Sequence, residues 1–193
     1  MIDYSKVLSP TVCSIAPSGI RKFFDLLDGR DDVIGLTVGQ PDFVTPWHIR
    51  EAGITSLEHG KTYYTSNAGT IQLREAISNY LVRRFDMPRY DSKNEIVVTV
   101  GGSEAIDVAM RSLLTPGDEV VIPNPAFVCY EPLVRMTGAT PVIVDTLLED
   151  RFKLTPDALR AAITPRTKLV VLPFPNNPTG AIMTREELEG FIV

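Results

Sequence analysis

Three short segments hold residue types that can do chemistry. The first is Val100-Gly101-Gly102-Ser103-Glu104-Ala105. It follows an apolar run at 96–100 and opens a segment with helical spacing. The first turn of a helix has free N–H groups and a positive partial charge, which suits a phosphate. The two glycines let backbone approach closely, and Ser103 adds a hydroxyl. The spacing is neither that of a Walker loop nor that of a dinucleotide GxGxxG loop. A plain Gly-Gly turn with Ser103 as N-cap would use the same residues.

The second segment is Pro173-Phe174-Pro175-Asn176-Asn177-Pro178-Thr179-Gly180, after the apolar run at 168–173. The residue before a proline is pushed to extended backbone, so Asn177 presents a fixed amide able to donate and accept. The third is Asn124-Pro125-Ala126-Phe127-Val128-Cys129-Tyr130, after the run at 119–123. Phe127 can stack on a planar ligand, or it can be a core aromatic. Either loop can also be a turn that topology alone requires. If the runs are parallel strands, all three segments emerge at their carboxyl ends, where open α/β sheets bind ligands. Together they make a phosphate anchor, a flat apolar wall and a polar amide, a set that suits a phosphorylated aromatic ligand.

The elements that must position them read as follows. Strands are predicted at 96–100, 119–123, 141–144 and 168–173, and helices at 103–114, 127–137 and 155–163. Thr184 and Glu187 form a capping box that opens a last helix. The strands are apolar throughout rather than alternating, as in a sheet covered on both faces. Strand and helix alternation at this spacing predicts βαβ units and an α/β fold with a mostly parallel sheet. Before it come an arm at 1–16, a helix at 18–28 and a short strand at 33–38. A further helix starts at Thr45-Pro46, with Thr45 as N-cap, and ends near Gly60. Another runs to about Phe85 with an inner stripe of Leu73, Ala76, Ile77, Tyr80 and Leu81. Residues 1–45 are assigned to an arm and small-domain segment, and 46–193 to part of a ligand-binding domain.

Composition narrows the function class. The chain has 193 residues, a net charge of -5 and 44% hydrophobic residues. The acidic balance argues against a nucleic-acid module. No apolar run reaches membrane-span length, and the N-terminus lacks a signal-peptide pattern. Cys13 and Cys129 are read as buried thiols of a reducing, cytoplasmic compartment. His48 and His59 have no cysteine partners for zinc.

The segments occur in an order that resembles the N-terminal half of a class I/II aminotransferase of pyridoxal-phosphate fold type I. The resemblance is carried by Gly39-Gln40-Pro41-Asp42-Phe43, Tyr63-Tyr64-Thr65, Gly69 with Leu73-Arg74-Glu75-Ala76, and Gly101-Gly102-Ser103-Glu104-Ala105. Pro116-Gly117-Asp118-Glu119-Val120 and Pro175-Asn176-Asn177-Pro178-Thr179-Gly180 complete it. The resemblance implies pyridoxal 5′-phosphate as cofactor and transfer of an amino group between an amino acid and a 2-oxo acid. It implies that Gly102, Ser103 and Glu104 bind the phosphate, that Phe127 stacks on the pyridine ring and that Asn177 bonds its phenolic O3′. It further implies that Tyr64 reaches the phosphate of a neighbouring subunit's cofactor in a homodimer, and that Gly39 lies near the substrate carboxylate.

One departure is large. The family's Schiff-base lysine, pyridine-side aspartate, second O3′ tyrosine and carboxylate-binding arginine all follow the Asn-Pro-Thr-Gly loop. Only 13 residues follow Gly180 here, and none of Lys6, Lys22, Lys61, Lys93, Lys153 and Lys168 lies in a matching context. The expectation is an incomplete chain with no catalytic residue of its own. A non-catalytic phosphate-binding fragment, a pyridoxal-phosphate lyase of the same fold and a generic phosphate-binding α/β domain remain as alternatives. The purified 193-residue chain is expected to show no transamination of common amino acids with 2-oxoglutarate, and no unique borohydride-reducible lysine adduct. Stoichiometric labelling of a single lysine, read by peptide mass spectrometry, is the contrary result.

Overall fold

The computed structural model describes residues 3–16, 19, 32–34, 39 and 41–192. Those within Met1–Pro17 and Val100–Val193 form one compact unit, and those within Ser18–Thr99 form a second. The boundaries between the compact units fall at 17/18 and 99/100. The helices are α1 (Pro10–Ser14), α2 (Trp47–Glu58), α3 (Ile71–Phe85), α4 (Gly102–Leu113), α5 (Tyr130–Met136), α6 (Pro156–Ala162) and α7 (Arg185–Glu189). The strands are β1 (Glu119–Asn124), β2 (Thr140–Asp145) and β3 (Thr167–Val170).

In the first unit the three strands are parallel, in the order β2-β1-β3. β1 runs in register with β2 from Glu119 opposite Thr140 to Asn124 opposite Asp145. Its pairing with β3 shifts by one residue between Glu119 and Val120, which leaves Lys168 unmatched. Side chains alternate along β1, so each face gets its own core. Val120 and Ile122 pack with Met110 of α4, Leu114, Val134 of α5 and Ala139. Val121 packs on the other face with Leu154 and Leu159, and Phe191 reaches the same cluster. Val120, Val121 and Val134 are each 0% exposed, worth about 1.5–3 kcal/mol apiece. This is the α/β sheet with helices on both faces that the apolar strands imply.

The caps behave as their residue types require. The Thr155 side chain accepts from the Ala158 amide at 3.2 Å. Thr184 and Glu187 form both bonds of the capping box. Other expectations are corrected. Thr45 does not cap α2: Pro46 holds that position, with no side-chain cap bond. Residues 96–100 form no strand; among their backbone bonds is Val98 N–H to Ala68 O, 3.0 Å. The described sheet therefore has three strands, not four. The helix expected at 127–137 begins at Tyr130, which leaves Phe127 on the turn before it. The strand expected at 168–173 spans Thr167–Val170. Cys13 is exposed on α1, a short helix with no buried residue. The helix expected at 18–28 and the core of the strand at 33–38 lie outside the described residues, apart from Gly19, Val33 and Ile34.

In the second unit, α3 buries Arg74 and Ser78, while Leu73 and Tyr80 of the expected stripe stay exposed. The helix faces a loop that presents carbonyls. Arg74 donates to Gly69 O at 3.1 Å, Ser92 O at 2.6 Å and Lys93 O at 3.0 Å. Ser78 donates to Tyr90 O at 2.7 Å. Gly69 has φ +91°, and a Cβ there would lie 2.8 Å from the Val98 side chain. Only glycine fits that approach.

At the amino end of β1, Glu119 is buried and carries a charge. Thr164 donates to it at 2.6 Å, and Arg166 pairs with the same carboxylate. The Thr164 bond, then Arg166, hold Glu119 below its ordinary value of 4.5. Lys153 does the same for Glu187, and the Thr115 backbone amide and hydroxyl for Asp118. A carboxylate whose folded pKa is depressed stabilises the fold above its unfolded pKa and loses that contribution as pH falls through the folded one. Urea denaturation is therefore expected to show stability falling as pH drops through the ordinary carboxylate range, about 3.9 to 4.3, and below it. Glu119→Gln should be less stable at neutral pH and flatter across that window. An unchanged slope in the variant would assign the acid loss elsewhere.

Candidate functional site

The site grows from the carboxyl ends of β1 and β3. Asn124 closes β1. Its side-chain amide donates to Asp145 Oδ1 at 2.8 Å, and its carbonyl accepts from the Thr146 amide and hydroxyl at 2.8 and 2.9 Å. These bonds fix where the chain turns into Pro125-Ala126-Phe127. The Phe127 ring meets Tyr130 edge to face, with centroids 6.1 Å apart. Beyond β3 the chain continues through one further ladder bond, Val171 N–H to Val121 O at 2.9 Å.

The two exits converge. Phe127, Tyr130, Leu172, Pro173, Phe174, Pro175 and Asn177 line one cleft of about 360 Å³. Phe127 and Asn177, both singled out in the sequence, thus share a site. The loop that carries Asn177 is anchored by its neighbour. Asn176 is buried, and its side-chain amide donates to Pro125 O at 2.9 Å and to Thr179 Oγ1 at 3.0 Å. Its Oδ1 is buried without a partner, a desolvation cost of about 1–3 kcal/mol.

The phosphate anchor expected at Gly102, Ser103 and Glu104 is the first turn of the 12-residue α4. Gly101 precedes it with φ +86°, and a Cβ at Gly101 or Gly102 would meet nothing within 4 Å. That is open space above a helix N-terminus. The Glu104 carboxylate turns back to accept from the Val100 amide. The Ser103 side chain hydrogen-bonds Cys129, one residue before α5. Burial pushes the Cys129 thiol up from its ordinary value, against that bond and its own backbone amide, which lower it. Burial, and then Cys129, raise the Tyr130 phenol, which stays protonated and able to donate.

Gly39 and Tyr64 belong to the second compact unit. Tyr64 is fully exposed, and Gly39 is exposed with open space where a Cβ would sit. Among the described residues no group of three or more His, Cys, Asp or Glu could hold a metal. No described helix is long and apolar enough to cross a membrane.

The groups a phosphorylated aromatic ring asks for are present, an open helix N-terminus, an aromatic wall and an exposed amide; the wall and the amide share the cleft, and Gly102, Ser103 and Glu104 are not among its lining residues. The sequence reading gave Asn176 and Tyr130 no role of their own and took Cys129 only as a buried thiol. Tyr130 had a signal, its spacing of three from Phe127. Asn176 had none, because burial alone separates it from Asn177.

The chain is similar to known proteins. Residues 31–192 match the model of the family "Aminotransferase class I and II". The Bacillus subtilis (strain 168) protein YugH is 52% identical over 181 residues, which are 94% of this chain and 47% of that protein. The aspartate aminotransferase of Geobacillus stearothermophilus is 41% identical, over 94% of this chain and 47% of its own. The solved structure of Thermus thermophilus aspartate aminotransferase with maleate superposes with a TM-score of 0.87 at 40% identity, over 95% of this chain and 49% of that one. The chain spans about half the length of the relatives it matches. Members of the family use pyridoxal 5′-phosphate. By its sequence and its fold, this chain belongs to the class I and II aminotransferases.

Proposed function

We propose that the chain forms part of a cytoplasmic, homodimeric pyridoxal-phosphate-dependent aminotransferase that moves an amino group between an amino acid and a 2-oxo acid. The observation that carries this is the cleft shared by Phe127 and Asn177, far apart in sequence, at the carboxyl ends of β1 and β3. The amides of Gly102, Ser103 and Glu104, with the Ser103 hydroxyl, would hold the cofactor's phosphate. Phe127 would bear on one face of the ring, and the Asn177 amide would donate to its phenolic oxygen. Pyridoxal 5′-phosphate, when bound, supplies the electron sink for the reaction. This chain's residues bind it, orient its plane and shield one side from water. Tyr64 would serve the phosphate of a partner's site and Gly39 the substrate carboxylate. No residue of the chain is assigned to proton transfer.

Binding to the 193-residue chain tests the reading. Pyridoxal 5′-phosphate is expected to bind in equilibrium dialysis and to be displaced by inorganic phosphate. Ser103→Ala should weaken both ligands about five-fold, the worth of one hydrogen bond of about 1 kcal/mol. Asn177→Ala should weaken pyridoxal 5′-phosphate and leave phosphate unchanged. Pyridoxal 5′-phosphate binding that is indifferent to phosphate and to both substitutions would place the cofactor elsewhere.

A further inference from the structure

We propose that Asn176 is the positioning residue of this site: its side-chain amide locks the loop that carries Asn177 to the loop that carries Phe127. The name of the site rests on the cofactor reading above, but the lock itself does not. Asn176 is 6% exposed. Both of its side-chain protons are used, one on Pro125 O at 2.9 Å and one on Thr179 Oγ1 at 3.0 Å. Its backbone is held as well: its N–H donates to Ala181 O at 2.9 Å, and its carbonyl accepts from the Gly180 amide at 2.8 Å. Four bonds therefore converge on the residue adjacent to Asn177. One of them crosses to a carbonyl two residues before Phe127.

The orientation of the amide is not arbitrary. The Pro125 carbonyl can only accept, so the nitrogen must face it. The oxygen is then left buried and unpartnered. A carboxylate of the same shape offers no proton to Pro125 O and sets negative charge against it. A protonated carboxyl again has one proton to donate. Burial raises the pKa of such a carboxyl, so the switch lies above the ordinary aspartate range.

These properties define a test in the full 193-residue chain, read by hydrogen-exchange protection factors. Asn176→Asp at neutral pH should lower protection about ten-fold or more in both 124–130 and 174–181. Protection should recover in both segments as pH falls toward about 5, where the buried carboxyl protonates. A merely space-filling side chain would give no recovery. In the same variant, pyridoxal 5′-phosphate affinity should fall while inorganic phosphate affinity is unchanged, since the α4 anchor is not part of the lock. Loss confined to 174–181, or loss without recovery in acid, overturns the proposal. If Asn176→Asp does not fold, Asn176→Ser replaces it. A seryl hydroxyl makes at most one of the two bonds, so both segments should loosen together, and loosening of one alone is again the contrary result. A wild-type chain that binds phosphate but no pyridoxal 5′-phosphate would remove the cofactor reading, and the exchange data would still decide the lock.

Discussion

The structure of the first unit depends on β1 being buried on both faces. A strand with side chains on two sides can serve two cores at once only if helices or other layers cover both faces. Val120 and Ile122 supply one core and Val121 the other, and β1 lies between β2 and β3 in the sheet. Parallel pairing then sends the chain out of β1 and β3 at the same edge. The loops that meet there include the one bearing Phe127 and the one bearing Asn177. The site is thus a by-product of burying a strand, refined by short polar bonds at its exit: Asn124 with Asp145 and Thr146, then Asn176 with Pro125.

Most of this was legible. Continuous apolar strands announced a covered sheet, and the threonine caps of α6 and α7 announced their helices. The misses share a cause: the local pattern is judged without its neighbour. Residues 96–100 have the composition of a strand, yet a strand exists only when another backbone pairs with it, and Val97 and Val100 are exposed here. On α3 the apolar positions were read as the inner stripe. The neighbour proved to be a row of carbonyls, which a guanidinium and a hydroxyl satisfy better than leucine does. Thr45 has the type of an N-cap, but the helix takes Pro46 at that position.

At the site, the planar residue and the amide were legible from type and loop position. The division of labour between two adjacent asparagines was not. Both have the same donors and acceptors, and only tertiary burial directs Asn176 inward to hold the loops and leaves Asn177 on the cleft. Cys129 was read as a buried thiol; it is half-buried, one residue before α5.

β1 also separates two kinds of charge. Glu119 stands at its first residue and Asn124, where the cleft loop begins, at its last. Five steps of about 3.3 Å make a span of roughly 17 Å. Glu119 is also paired with Arg166, whose side chain is largely open to solvent and offsets its charge locally. Neutralising Glu119 therefore changes the electrostatic potential at the far end of the strand very little. A phosphate monoester has its own second ionisation near about pH 6, well above the range in which Glu119 titrates. Weakened anion affinity in mild acid would then be a property of the ligand's charge, and the loss of the fold in stronger acid a property of the strand's opposite end. One strand keeps the two titrations apart.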